Sequence, residues 1–403
     1  MINRAQKQTF GLTMLLQFPT TLLLYGEPFF VRERFGWDVG KTALSQVMVG
    51  FSVAVGSYVG GQIAHRKSPR FATLLGLSLA MICVFLGAVA GSNEAIFLMA
   101  LGGFAFSQSL VWPGLESLLV EGEPLGRVAH IVAYYNLIWS FGTACSFFLA
   151  TPIMARFGLG AVFWGPLCFY CASLPVAYFF LKPEQSAVPE TTAERMVEQH
   201  LLDELKRHTP QERKAFRQLG WLANPLGYVA INVVVTFSPL IQSRLGLRFA
   251  EASVWCSLWF YMRTLSFEAL RRWSWWHYRW GFLCAVMFVA MISFVGITLA
   301  PTLPLLLMAQ CVFGFCLGLI YQSSLFYSMA ESDSAGENGG WHECFIGVGS
   351  MTGNLIVYGS TRFFPSIPQL SVYSVIGLLS VGLISLLSIG LRIRGIQRAT
   401  LLS

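Results

Sequence analysis

Charged side chains are scarce in this 403-residue sequence. They make up 12% of the residues, whereas 55% are hydrophobic and the mean hydropathy is +0.60. A typical soluble domain carries about 25% charged residues. A soluble fold of this length has too little interior to bury so much apolar surface. The composition therefore excludes an ordinary soluble protein and favours a chain that crosses a membrane repeatedly, because lipid solvates the outer face of such a protein.

Catalytic and nucleotide-binding patterns are missing as well. The stretch GWDVGKT, from Gly36 to Thr42, resembles a phosphate-binding loop, but Gly36 lies one residue too close to Gly40 and Lys41 for that motif. No Ser/His/Asp set, carboxylate pair or group of three or four zinc ligands is apparent in the sequence. We therefore expect no enzyme activity, no cofactor and no metal. The energy source is expected to be an ion gradient or the gradient of the substrate itself.

Long apolar stretches recur along the whole chain. A membrane-spanning helix needs about 20 mostly apolar residues, and about twelve stretches qualify. They lie near 10–30, 43–64, 71–91, 95–119, 128–153, 160–181, 220–242, 250–270, 280–300, 303–329, 341–361 and 369–391. The sequence therefore predicts an all-α integral membrane protein with about twelve transmembrane helices.

The cations are distributed unevenly between the two sets of loops. If the N-terminus is cytoplasmic, 19 of the 27 Lys and Arg residues fall in cytoplasmic segments, 7 fall in external ones, and Arg263 lies inside a span. This asymmetry follows the positive-inside rule and predicts that both termini are cytoplasmic. The net charge of +7 is thus explained by membrane topology, and we do not expect nucleic-acid binding.

One long polar interval divides the chain. It runs from about Lys182 to Leu219 and contains two capping-box signals, which begin at Thr191 and at Thr209. We interpret this interval as a cytoplasmic linker with short amphipathic helices. The predicted organisation is an N-terminal six-helix half at 1–181, a linker at 182–219 and a C-terminal six-helix half at 220–403.

The two halves resemble each other at a nearly constant offset. GFAFSQSLVWPGLESLLVEGEP begins at Gly103 and GFCLGLIYQSSLFYSMAESDS begins at Gly314, which is an offset of 211. RFGWD and RLGLR match at an offset of 210, and His130 matches His342 at 212. The repeated offset indicates an internal duplication.

The loop between the second and third predicted spans, GQIAHRKSPR, resembles a motif of the major facilitator superfamily. That family has G-x-x-x-D-R-x-G-R-R, and Gly61, Arg66 and Arg70 match it. The resemblance implies two six-helix halves around a central substrate cavity, which opens alternately to each side. In the family the acidic residue helps to latch the cytoplasmic side shut. His65 replaces it here, so we expect an altered latch. Span five also lacks the Gly-Pro pair of many proton antiporters.

Arg263 is the unusual residue of the spans. It lies in WFYMRTLSFEALRR, Trp259 to Arg272, five positions before Glu268 and therefore out of i,i+4 register with it. Three interpretations remain open: a substrate or coupling role, a structural ion pair with another helix, and a side chain that reaches towards the membrane surface.

Family analogy selects the remaining site candidates. Spans one, four, seven and ten should surround the substrate, and span five adds a polar and aromatic patch. The predicted substrate-binding residues are Gln17, Gln108, Trp112, Tyr135, Asn136, Asn232, Arg263, Tyr321 and Gln322. The proton-coupling candidates are Glu27 and Glu116. The predicted cytoplasmic gate comprises Gly61, His65, Arg66, Arg70, Arg127, His342 and Glu343.

These features favour a secondary active transporter of a small organic solute, with an anionic solute and proton coupling as options. Its expected partners are that solute, protons and the lipid bilayer, and it is expected to be a monomer in a bacterial inner membrane. The alternative is a transporter-like sensor or scaffold without transport activity, which the altered GQIAHRKSPR loop would suit.

Overall fold

The structure is a computed structural model that describes residues 4–120, 123, 125–181, 199, 203, 206–273, 275–329, 335–367 and 369–402. The bounds of its helices, in chain order, are α1 Arg4–Leu24, α2 Glu27–Phe35, α3 Val39–Arg66, α4 Pro69–Val89, α5 Glu94–Val120, α6 Leu125–Phe157, α7 Ala161–Phe180, α8 Pro210–Arg244, α9 Ala252–Cys256, α10 Leu258–Arg272, α11 Trp280–Thr298, α12 Leu303–Met329, α13 Ala335–Phe363 and α14 Leu370–Leu402. A 3-10 turn, Phe249–Glu251, precedes α9. These residues contain no β-strand.

Each predicted span corresponds to a helix or to a broken helix. Within the described ranges, nine helices are long and apolar enough to cross a membrane. The first span is divided into α1 and α2 around Gly26, the eighth is divided into α9 and α10 at Ser257, and α13 is the eleventh. Helices are the expected solution, because a backbone in lipid must satisfy its hydrogen bonds within the segment. The prediction of an all-α membrane protein is confirmed.

Several helices begin where a side chain caps the first turn. The Asp38 carboxylate accepts a hydrogen bond from the backbone N–H of Lys41 at 2.7 Å and begins α3. The Ser68 hydroxyl caps α4 in the same way. Such caps satisfy backbone donors that have no partner inside the helix.

The predicted helix start at Thr209 is present. Its hydroxyl accepts from the N–H of Glu212 at 3.2 Å, and the Glu212 carboxylate accepts from the N–H of Thr209 at 2.7 Å, which completes a capping box. The helix that begins there, α8, continues without a break to Arg244 and forms the seventh span. The other signal, at Thr191, lies outside the described residues.

Both ends of the described chain lie at one end of the bundle, which we call the terminal end. Near the start of α1, the Gln6 amide donates to the backbone carbonyl of Leu119, in the last turn of α5, and to the carboxylate of Glu123, just beyond that helix. In the second half of α14, Gly390 lies against Trp280 at the start of α11, and α14 continues past it in the same direction to Leu402. The helices α1, α4, α6, α8, α11 and α13 begin at the terminal end, and the intervening spans return to it.

The first and last six spans meet along two helix pairs. α3 packs antiparallel to α13 along most of its length, and α6 packs against α9 and α10. Glycines allow α3 and α13 to approach each other closely. A β-carbon at Gly347 would lie 2.7 Å from the Ala54 Cα, and one at Gly340 would lie 3.2 Å from the Gly61 Cα. The eleventh span thus packs against the second, and the fifth packs against the two parts of the eighth.

Candidate functional site

A cavity of about 130 Å³ lies between the first and last six spans. A single water needs about 10–15 Å³ of such space, so the cavity has room for a small solute. Its wall mixes aromatic rings with hydrogen-bonding groups. The aromatic residues are Tyr25, Trp112, Tyr135, Trp139, Tyr228 and Tyr321; the amides are Gln17, Gln46, Gln108 and Asn232; the carboxylate is Glu343.

Six of the nine predicted substrate-binding residues lie in this wall. They are Gln17, Gln108, Trp112, Tyr135, Asn232 and Tyr321. Arg263, Asn136 and Gln322 lie behind the wall. Sequence reasoning missed Tyr25, Gln46 and Tyr228 as wall residues. The spacing of Tyr228 offered a signal, because it precedes Asn232 by four positions and therefore shares its helix face.

Hydrogen bonds orient the wall amides. Gln17 donates to the hydroxyl of Thr143 at 2.6 Å, which ties α1 to α6. Gln108 accepts from the Tyr170 hydroxyl at 2.7 Å, while its own Nε2 is buried without a partner. Buried polar groups are normally hydrogen-bonded. The Gln108 amide is therefore a donor available to a solute.

Arg263 is buried in the centre of the bundle, with 1% of its surface exposed. Its guanidinium carbon lies 4.7 Å from the ring centroid of Trp139 and 5.5 Å from those of Trp259 and Phe260. The Tyr228 hydroxyl lies beside it. The nitrogens Nε and Nη1 are buried without a hydrogen-bond partner. Arg263 thus points inward, away from the membrane surface.

No ion pair explains this burial in the part of the chain that the structure describes. Glu268, the nearest acidic residue in sequence, instead binds Arg271 at 2.8 Å and also Arg272. A buried cation without an anionic partner is costly. The arrangement leaves two donor nitrogens, Nε and Nη1, ready for an anion.

Two carboxylates approach the cavity from its terminal side. Glu343 lies in the wall itself, and Glu116 lies within electrostatic range of it. The Tyr135 hydroxyl donates to Glu116. Two ionised carboxylates repel each other, so a proton or a cation between them lowers the energy. Glu343 was predicted as a gate residue, and its position also makes it part of the cavity.

Glu27 is buried near the opposite end, with 1% of its surface exposed. Its carboxylate accepts hydrogen bonds from Ser45 at 2.6 Å and from Gln46 at 2.8 Å. Neither arginine of the same short helix pairs with it: Arg32 binds Ser243 at 2.6 Å, and Arg34 is exposed. Because Gln46 lies in the cavity wall, one amide joins Glu27 to the solute space.

The predicted gate residues that the structure describes do not form one cluster. Gly61 packs closely against Gly340, whereas His65 and Arg66 are exposed. Arg70 donates to the backbone carbonyl of Tyr178 at 2.6 Å. The side chain of Arg127 lies outside the described residues.

His342 lies beside the cavity, whereas His65 is exposed. It is buried against the Tyr321 ring, with centroids 4.9 Å apart, and its Nδ1 is 3.4 Å from the Ser324 hydroxyl. It therefore sits next to Glu343 on the terminal side of the cavity.

Contacts between the first and last six spans occur on both sides of the cavity. Towards the opposite end, the hydroxyls of Thr151 and Ser253 lie 2.9 Å apart, and each also accepts a backbone N–H of the other residue at 3.0 Å. Towards the terminal end, Asn136 donates to Gln322 at 2.8 Å. These two sets of bonds join the first and last six spans on either side of the cavity.

We compared the chain with known protein families and solved structures. A model of the Major Facilitator Superfamily matches residues 9–354. No curated protein sequence matches the chain. A solved structure described as an auto-inhibited POT family peptide transporter is similar, with a TM-score of 0.73, 12% identity and 97% of each chain covered. Another, from work on substrate recognition in proton-dependent oligopeptide transporters, has a TM-score of 0.71 and 14% identity, covering 96% of this chain and 99% of its own. At these identities the likeness shows the fold alone. Because the family model matches most of the length of this chain, the chain belongs to the Major Facilitator Superfamily.

Proposed function

We propose that the protein is a secondary active transporter that carries a small organic anion through the central cavity by alternating access. The observation that supports this most strongly is Arg263, a buried cation behind an aromatic wall, with two donor nitrogens that have no hydrogen-bond partner. Intramembrane charges usually face a pathway or the bundle interior and mark function. Guanidinium groups match carboxylates in geometry and can bind them bidentately.

The chemistry of the wall supports an organic solute over an inorganic ion. Aromatic rings offer apolar contact, and the free Nε2 of Gln108 offers a hydrogen bond to a carbonyl or hydroxyl group. The two similar structures are described as peptide transporters. A peptide has a carboxylate and carbonyl groups, so short peptides and their derivatives belong among the compounds to test.

The proposed orientation places the terminal end in the cytoplasm. Arg66, Lys67 and Arg70 end α3 and begin α4 there, and Arg271 and Arg272 end α10 there. An excess of Lys and Arg marks cytoplasmic loops. We place the protein in a bacterial inner membrane, as a monomer.

Thermal unfolding of the purified protein tests the proposed substrate class. N-Acetylalanine and N-acetylalaninamide are nearly equal in shape and differ in charge, so they form a matched pair within a panel of sugars, organic acids, amino acids, short peptides and cationic drugs. A ligand at 100 times its Kd stabilises the folded state by about 2.7 kcal/mol. We expect carboxylates to raise the midpoint and their amides to have a much smaller effect. Stabilisation by neutral or cationic compounds alone would contradict an anion site.

Proton coupling is proposed to involve Glu27, with Glu116 as the second candidate. We expect Glu27→Gln to abolish accumulation of the solute driven by a pH gradient, because an amide cannot carry the proton. Exchange of labelled for unlabelled solute should continue, since it needs no net proton movement. Uptake into proteoliposomes with and without an imposed pH gradient measures both.

Glu33→Gln is the matched control, because Glu33 is an exposed carboxylate of the same short helix. It should accumulate solute like the wild type. If Glu27→Gln also retains full gradient-driven accumulation, Glu27 is not the coupling group, and the same pair of assays should then be applied to Glu116→Gln.

A further inference from the structure

Trp139 belongs to the first six spans but packs among residues of the last six. Its ring centroid lies 5.3 Å from that of Tyr321 and 5.8 Å from that of Phe267. The guanidinium carbon of Arg263 lies 4.7 Å from the same ring. A cation over an aromatic face is attracted to it, most strongly for Trp. Trp139 thus contacts three residues across the interface between the two sets of spans.

The indole of Trp139 also begins a chain of hydrogen bonds that crosses the interface. Its Nε1 donates to Asn136 Oδ1 at 2.9 Å, and Asn136 Nδ2 donates to Gln322 Oε1 at 2.8 Å. An indole N–H is only a donor, so the oxygen of the Asn136 amide must face Trp139 and its NH₂ must face Gln322. The indole therefore fixes the orientation in which Asn136 can bind Gln322.

This chain lies on the terminal side of the cavity. Asn136 is about three turns from the start of α6, and Gln322 is about two turns from the end of α12, and both of those helix ends are at the terminal end. Trp139 itself lies in the cavity wall, one turn further from that end. The Asn136–Gln322 bond therefore joins the first and last six spans between the cavity and the terminal end.

Arg263 lies behind the wall of which Trp139 is part. A solute that reaches Nε or Nη1 of Arg263 must displace one of the aromatic side chains in front of the guanidinium, and Trp139 lies directly against it. Displacing the indole breaks its bond to Asn136 and frees the amide to rotate. The Asn136 amide is then no longer held in the orientation in which it donates to Gln322.

We infer that Trp139, Asn136 and Gln322 act as positioning residues that couple occupation of the Arg263 site to opening of the terminal end. The inference rests on the proposed function, since it takes the solute to carry an anionic group. Binding is converted into movement through these three residues. The Asn136–Gln322 bond is an uncharged contact at the end where the loop at Gly61 to Arg70 has His65 in place of the acidic residue.

Distances between spin labels at the terminal end test this inference. Lys67 and Arg272 are exposed and belong to the first and last six spans. Labels attached to unnatural amino acids at these positions leave the nine native cysteines in place. We expect Gln322→Met, without ligand, to raise the ratio of open to closed protein about 3- to 10-fold, the change expected for loss of one hydrogen bond. Gln310→Met is the control, because Gln310 is a buried amide of the same helix whose bonds to Trp255 and Trp259 stay within the last six spans.

Trp139→Phe tests the transmission step. It keeps an aromatic face for Arg263 but loses the N–H that orients Asn136. We expect N-acetylalanine still to bind this variant, as a raised unfolding midpoint would show. At concentrations that saturate each protein, it should widen the label distance far less in the variant than in the wild type. N-Acetylalaninamide, the neutral analogue, should widen neither.

Two results would overturn the inference: a ligand-free distance distribution of Gln322→Met equal to those of the wild type and Gln310→Met, or equal ligand-induced widening in Trp139→Phe and the wild type. Absence of thermal stabilisation by every carboxylate in the panel is a different failure. It would remove the proposed anion site, while the ligand-free comparison would still decide whether Asn136 and Gln322 hold the terminal end closed.

Discussion

Replacing Arg263 by Met is expected to abolish stabilisation by carboxylates and to leave a folded protein. At a concentration that gives the wild type about 2.7 kcal/mol of added stability, the variant should show none. Without ligand, its unfolding midpoint should equal or exceed that of the wild type, because Met removes a buried charge whose Nε and Nη1 have no partner. Solute uptake should fall at least about 100-fold, which corresponds to the loss of roughly 2.7 kcal/mol of interaction.

The outcomes of this substitution separate a role in binding from a structural role of Arg263. Failure to fold would indicate that its contacts with the rings of Trp139, Trp259 and Phe260 are essential to the fold. Normal ligand binding would indicate that the guanidinium has no part in the site. Arg263→Lys keeps the charge but loses the planar donor pair, so it should bind carboxylates more weakly than the wild type and more strongly than Arg263→Met.

The second large effect is expected at the contact between α3 and α13. A β-carbon at Gly347 would lie 2.7 Å from the Ala54 Cα and 2.7 Å from the Gly50 carbonyl oxygen, closer than real β-carbons come to other atoms. The neighbouring atoms belong to the backbone and cannot rotate away. We expect Gly347→Ala to destabilise the protein by about 1–3 kcal/mol and to abolish transport, because α3 and α13 are forced apart. Thermal unfolding and solute uptake measure the two effects.

Gly359 provides a control in the same helix. Nothing lies within 4 Å of the position that its β-carbon would occupy. Gly359→Ala should therefore retain transport and gain a few tenths to about 1 kcal/mol of stability, since Ala is the better helix former. If Gly347→Ala and Gly359→Ala behave alike, the close packing of α3 on α13 is not needed for function.

Local patterns predicted the elements of this fold well. Apolar length identified the twelve spans, and Thr209 with Glu212 identified the start of α8. These features depend on residues that are neighbours in sequence. The breaks at Gly26 and Ser257 were not predicted, because short interruptions do not change the average hydropathy of a span.

The candidate site was predicted in part. Gln17, Gln108 and Asn232 were placed correctly in the cavity wall because family analogy selects the helices and polarity selects the residues. The direction of a side chain depends on how its helix is rotated against distant segments. That is why Glu343 was assigned to the gate alone, and why Arg263 was not expected to lie behind the aromatic wall.

Contacts between distant residues could not be predicted from one sequence. Asn136 and Gln322 were both selected as candidates, but their bond joins positions 186 residues apart. Their types and spacing do not reveal which amide meets which. The pairing of α3 with α13 was also missed, since the glycines of span eleven fit several neighbours equally well.

The most direct test of the account is counterflow of a stabilising carboxylate in proteoliposomes. Vesicles that contain the purified protein are loaded with unlabelled N-acetylalanine, or with whichever carboxylate stabilises the protein most, and are diluted into a trace of the labelled compound. The account predicts transient accumulation of label inside the vesicles, and loss of that accumulation in Arg263→Met. Binding of the carboxylate without any counterflow would contradict transport and would favour a membrane sensor instead.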